Sequence, residues 1–145
     1  MLKLALVVQT AAFLTCTVPS EAVELRPVSV RKGTEGLVNT PLVVANSGSV
    51  QLACKANLAH WYSTEIATVA PDATARIDLW FDPKTGTYTL LNDKRENMPV
   101  EALWCGIDGR AYATRARLPL DRRLAAEHSA NTVRCSADAG RTVCE

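Results

Sequence analysis

The clearest alternation of apolar and polar positions runs through residues 75–82. Ala75, Ile77, Leu79 and Phe81 fall on one side, and Arg76, Asp78, Trp80 and Asp82 on the other. A period of two predicts a strand with one buried face. Asp82-Pro83-Lys84-Thr85-Gly86 follows as a turn, and residues 87–91 resume a β-branched and aromatic run, so the two segments predict a hairpin. Upstream, residues 41–45 form a short β-branched run that ends at the turn formers Asn46-Ser47-Gly48-Ser49. Residues 50–63 read as one long extended stretch. Leu52, Cys54, Ala56 and Leu58 share its inner face, Lys55 and Asn57 point outward, and a bulge at His60-Trp61-Tyr62 can switch faces.

Downstream, residues 92–99 read as a polar loop, 100–105 as a strand and 106–109 as a turn. Residues 110–118 read as a further strand, with Tyr112, Thr114 and Ala116 against Arg115 and Arg117. After Pro119 the pattern changes. Residues 121–128 hold helix formers behind an aspartate able to cap, which predicts one short helix. Residues 132–144 then double back around Asp138-Ala139-Gly140.

The first residues follow a different rule. Lys3 precedes an apolar run over residues 4–15, too short to span a membrane and suited to the core of a secretory signal peptide. Ser20 and Ala22 supply the small residues at −3 and −1 of a cut after Ala22. A lipoprotein reading would anchor Cys16, but Phe13-Leu14-Thr15 is a poor match for the small residue it requires. The expectation is a signal peptide over 1–22 and a single exported domain over 23–145, periplasmic or secreted, with no transmembrane segment.

That cut leaves four cysteines, and an even count in an exported chain predicts disulfides. The turn between Cys135 and Cys144 lets those two meet and leaves Cys54 for Cys105. By loop entropy the longer staple contributes roughly 4 kcal/mol. A four-cysteine zinc site lacks C-x-x-C spacing.

Short strands at turn spacing, with one brief helix, predict a mainly all-β fold. It is a small antiparallel β-sandwich closed by a C-terminal disulfide-bonded hairpin. Trp61, Tyr62, Trp80, Phe81, Tyr88, Trp104 and Tyr112 lie in a region that Cys54 and Cys105 nearly bracket. The run from residue 41, with its Asn-x-Gly turn, long strand, Pro-Asp turn and second strand, resembles bacterial immunoglobulin-like domains. The resemblance is architectural, and it implies a disulfide between sheets packed against tryptophan.

The 145-residue chain carries a formal charge of +1, which gives no general attraction to nucleic acid. Its basic character is concentrated late. From Arg110 onward seven arginines face four acids, a bias that solvated faces also show. His60 and His128 are the only histidines, and neither belongs to a G-x-S-x-G or phosphate-loop motif. Copper would need clustered soft or imidazole ligands, and His60, His128 and Met98 form no close grouping in the sequence. No cofactor and no metal are expected.

The alternation places Trp80 opposite Ile77, Leu79 and Phe81, on a face that can stack on a ligand or anchor a partner. The candidate binding set is therefore His60, Trp61, Trp80, Arg115 and Arg117. These residues suit a non-enzymatic binding or accessory module that presents a disulfide-stapled sandwich to a protein partner in the cell envelope. The alternative is a small secreted hydrolase, or an enzyme inhibitor, centred on His60 or a carboxylate pair.

Overall fold

The computed structural model describes residues 30–58, 62–124, 126–138 and 140–145. The expected leader, His60 and Trp61 lie outside the described residues. The strands are β1 (Val38–Asn39), β2 (Leu42–Asn46), β3 (Leu52–Leu58), β4 (Tyr62–Val69), β5 (Thr74–Ile77), β6 (Trp80–Asp82), β7 (Thr87–Leu91), β8 (Asn97–Ile107), β9 (Ala116–Leu118), β10 (Asn131–Ala137) and β11 (Thr142–Cys144). They form two sheets. The larger runs β1-β6-β7-β8-β3-β4, with β9 also paired to β8, and the smaller runs β11-β10-β2-β5. Every pairing is antiparallel except β2 with β10, which is parallel.

One core lies between the sheets. Leu42, Val44, Ile77 and Val133 enter it from the smaller sheet, and Leu52, Ala56, Phe81, Val100 and Leu103 from the larger. Phe81, Leu52, Leu79, Leu103 and Val44 are essentially fully buried. Each such side chain contributes roughly 1.5–3 kcal/mol relative to exposure. The inward set Leu52, Cys54, Ala56 and Leu58 is buried as the alternation requires. The run over residues 75–82 also keeps its inward set, yet it serves two sheets. Its first half pairs with β2 and its second with β7, and the chain changes sheet at Asp78-Leu79. Alternation survives the switch because both sheets face one interior.

Both disulfides pair as the spacing suggested, Cys54 with Cys105 and Cys135 with Cys144. Their placement corrects the resemblance drawn above. Cys54 and Cys105 are register partners on adjacent strands of one sheet, with Cα atoms 4.0 Å apart. The staple therefore lies within a sheet rather than between sheets. Trp104 stands on the opposite face from that bond, with Ala53 and Ala111. Cys135 and Cys144 close the β10–β11 hairpin.

Three further segments differ from expectation. Residues 50–63 are not one extended stretch: β3 and β4 are antiparallel partners, with Leu58 opposite Tyr62. Of residues 110–118, only β9 is a strand. Residues 108–114 are turns, because β8 is already paired to β3 and Gly106 lets the chain fold back against it. The expected helix at 121–128 is also not formed among the described residues. A helix there would need the Asp121 and Arg123 carbonyls for its own ladder. Instead the Tyr88 hydroxyl donates to Asp121 O at 2.9 Å, and His128 Nε2 bonds Arg123 O at 2.8 Å. The Asp121 carboxylate meanwhile accepts the Arg123 N–H at 3.0 Å, which makes a side-chain turn.

Asn46, at the end of β2, is the main buried polar hub. It is 2% exposed, and its Nδ2 lies 2.8, 3.0 and 3.1 Å from the carbonyls of Val50, Val69 and Ala70. Its Oδ1 accepts the Gly48 N–H at 3.0 Å. The turn-forming asparagine thus joins both sheets while satisfying its own polar atoms.

Candidate functional site

The outer face of the larger sheet gathers exposed cationic and aromatic side chains around the buried Trp104. Trp104 on β8 and Arg117 on β9 are register partners, and Lys55 on β3 is the opposite neighbour of Trp104. Trp104 is nearly buried, and its indole N–H donates to Asn57 Oδ1 at 3.1 Å. Tyr112 stands edge-on to it, with ring centroids 6.0 Å apart, and is itself 69% exposed. The Arg115 guanidinium lies 4.0 Å from the Tyr112 ring centre and donates to Tyr112 O at 2.6 Å. Asn57, Ala102, Trp104, Tyr112, Arg115 and Arg117 line a shallow groove of about 320 Å³.

This arrangement depends on a supported turn. At Gly106 a Cβ would collide with Ala111 O and lie 2.8 Å from the Ala111 Cα. Only glycine therefore lets the turn approach β8 so closely. Thr114 Oγ1 accepts the Ile107 N–H at 2.9 Å and donates to Arg110 O at 3.1 Å. Thr114 O in turn accepts the Thr142 N–H at 2.9 Å, which ties the turn to the C-terminal hairpin. The result is a hydrogen-bonded platform carrying two aromatic rings and two arginines.

Of the residues singled out from sequence, the structure brings Arg115 and Arg117 together. Trp80 is half-buried on β6, with Asn39 and Thr89 as its register neighbours, two strands from β8. The tryptophan beside the arginines is Trp104. The alternation of residues 100–105 would have found it, since Trp104 must face away from Leu103 and Cys105. Tyr112 had no such signal, because its position follows from the turn.

A second polar cluster holds the segment after β9. The His128 ring stacks on Phe81, with centroids 3.5 Å apart and planes at 21°. Its Nδ1 lies 3.2 Å from the Tyr88 hydroxyl. Burial pushes the Tyr88 phenol above its ordinary pKa, helped by the Asp121 charge and opposed by Arg122. The Arg123 guanidinium and backbone N–H hold the Asp121 carboxyl well below the usual carboxylate range. The Nδ1 contact and the stack on Phe81 fasten this strap to the sheet, the Nε2 bond to Arg123 O closes the strap on itself, and Arg122 adds a 2.7 Å bond to Val100 O.

Several acids on the described surface stand against cations, Glu65 beside Lys55 among them. Asp82 pairs with Arg31, Glu96 with Lys32, Asp78 with Arg76 and Asp121 with Arg123. No group of three His, Cys, Asp or Glu side chains among the described residues is placed to hold a metal ion. No helix among them is long and apolar enough to cross a membrane. No family model matches the chain, and no curated protein is similar to it.

Proposed function

We propose that this chain is an exported, non-catalytic binding module whose contact face is the platform around Trp104. The observation that carries the reading is the stack of Arg115 on exposed Tyr112 above Trp104, with Arg117 beside it. Tryptophan, tyrosine and arginine dominate binding hot spots because they combine large apolar area with directed hydrogen bonding. The Arg117 side chain has no ion pair or hydrogen bond among the described residues, which leaves its charge available to an acidic group on a protein partner. Two disulfides support the export part of the reading, since such bonds persist in oxidising compartments. We read the layers as immunoglobulin-like in layout, with the long staple moved into one sheet.

The test compares the native chain with the Arg115→Glu/Arg117→Glu variant as bait in a native cell-envelope extract. A partner retained by the first and lost by the second, with matching melting curves, is the expected result. Equal recovery by both baits overturns the assignment of the face. Export is checked by sequencing the N-terminus of the protein recovered from its native cells. It should start at Val23, and recovery with Met1 intact in the cytosol would refute that part.

A further inference from the structure

Among the described residues the longest edge strand is β4, one strand beyond the Trp104 platform, with Lys55 standing in register between Glu65 and Trp104. β4 ends the larger sheet and is paired on one side only, with β3. Among the described residues, no backbone hydrogen bond links residues 62–68 to any other strand. The eight residues of β4 contain no proline and a single charge, Glu65. Such an edge is a ready template for a further strand. A one-residue register shift near Cys54 and Lys55 marks a bulge on β4.

A groove of about 810 Å³ runs beside this edge, between β4 and β5 at the open flank of the sandwich. Ile66, Ile77, Leu90, Leu91 and Met98 supply the apolar part of its wall. Its charged rim is acidic in balance. Arg76 and Asp78 satisfy each other at 2.9 Å, which leaves Glu65 and Asp93. Glu65 meets Lys55 only at 4.0 Å, and Asp93 has no ion pair among the described residues.

We propose that the β4 edge is a strand-addition site for an extended, basic peptide segment of a partner. Main-chain hydrogen bonds to the edge hold the segment. Alternate aliphatic side chains enter the groove, and lysine or arginine side chains meet Glu65 and Asp93. A second copy of this chain is the poorer occupant. Antiparallel pairing of two β4 strands along their length brings two Glu65 carboxylates together near the symmetry axis, and like charges opposed across strands are destabilising.

The experiment uses the intact oxidised chain and an eight-residue probe peptide that alternates valine with threonine and carries two lysines. Residue-resolved hydrogen exchange is measured with and without the probe. The expected result is slowed exchange of the β4 amides that do not bond to β3, with no change around Trp104. Glu65→Lys/Asp93→Lys should weaken the lysine probe about tenfold and accept the same peptide carrying glutamates. Raising the salt should weaken the lysine probe on the native chain, an arm that does not depend on the variant. Exchange unchanged on β4 at saturating probe overturns the proposal, as does equal affinity for both probes. Slowed β4 exchange in the protein alone at high concentration would assign the edge to a second copy and also overturn it. Arg115→Glu/Arg117→Glu should leave probe binding intact, so failure of the platform reading and failure of this one are separable.

Discussion

Gly106→Ala tests the close approach on which the Trp104 platform depends. A Cβ at this position meets backbone rather than a flexible side chain, lying 2.8 Å from both C and Cα of Ala111. Ordinary carbon–carbon contact is about 3.5–4.0 Å, so the turn over residues 108–114 must retreat by about 1 Å. Overpacking of this kind costs about 1–3 kcal/mol, and the upper end applies because backbone cannot rotate away. For a chain of this size that lowers the melting temperature by about 10 °C. Two other glycines act as controls. Gly109 has open space but a φ of +78°, so Gly109→Ala should cost about 1 kcal/mol from backbone conformation alone. Gly140 has neither constraint, and Gly140→Ala should be neutral. Urea denaturation of the three variants, followed by tryptophan fluorescence, measures the series. In Gly106→Ala, exchange at the Ile107 and Thr142 amides should also quicken, because both bond to Thr114. A Gly106→Ala protein as stable as Gly140→Ala, with those amides still protected, would refute the reasoning.

Asn46→Ala should cost about 2–4 kcal/mol in chemical denaturation, because it strips the shared donor from three carbonyls, and the bond to Val69 O is buried. A loss under 1 kcal/mol would show that water replaces the amide. Loop entropy ranks the staples by separations of 51 and 9 residues. Replacing both Cys54 and Cys105 by serine should therefore cost roughly 4 kcal/mol, and replacing Cys135 and Cys144 roughly 2.5 kcal/mol; the reverse order in urea melts would count against that ranking. Asp121 is depressed in the folded state, so its contribution is present above the unfolded carboxylate pKa of about 3.9 and is lost as pH falls below it. Asp121→Asn should accordingly flatten the acid limb of the stability profile and leave its slope near neutral pH unchanged. An acid limb that matches the native one would contradict the assigned Arg123 contact.

Alternation alone identified the inner faces of β3 and of residues 75–82, because side chains on a strand must point to opposite sides whichever sheet the strand joins. It equally marked the β6–β7 hairpin, whose turn residues carry their own geometry. Gly86 takes φ +70° and donates to Asp82 O at 2.9 Å. Cysteine count and spacing yielded both disulfide pairs. The same local signals failed where contacts that periodicity does not encode took over the backbone. Helix formers at 121–128 lost their carbonyls to Tyr88 and to a histidine stacked on Phe81. The alternating residues 110–114 became turns through the close approach at Gly106. Whether Cys54 and Cys105 joined two sheets or one was equally beyond the sequence, since spacing constrains which sulfurs meet and not which strands carry them. Arg115 and Arg117 were visible as candidates from charge and pattern. Their neighbours were not, because Trp104 reaches Arg117 through strand pairing and Tyr112 reaches Arg115 through a turn. Local periodicity is written in adjacent residues, whereas the platform and the open β4 edge exist only once strands distant in sequence have found their order.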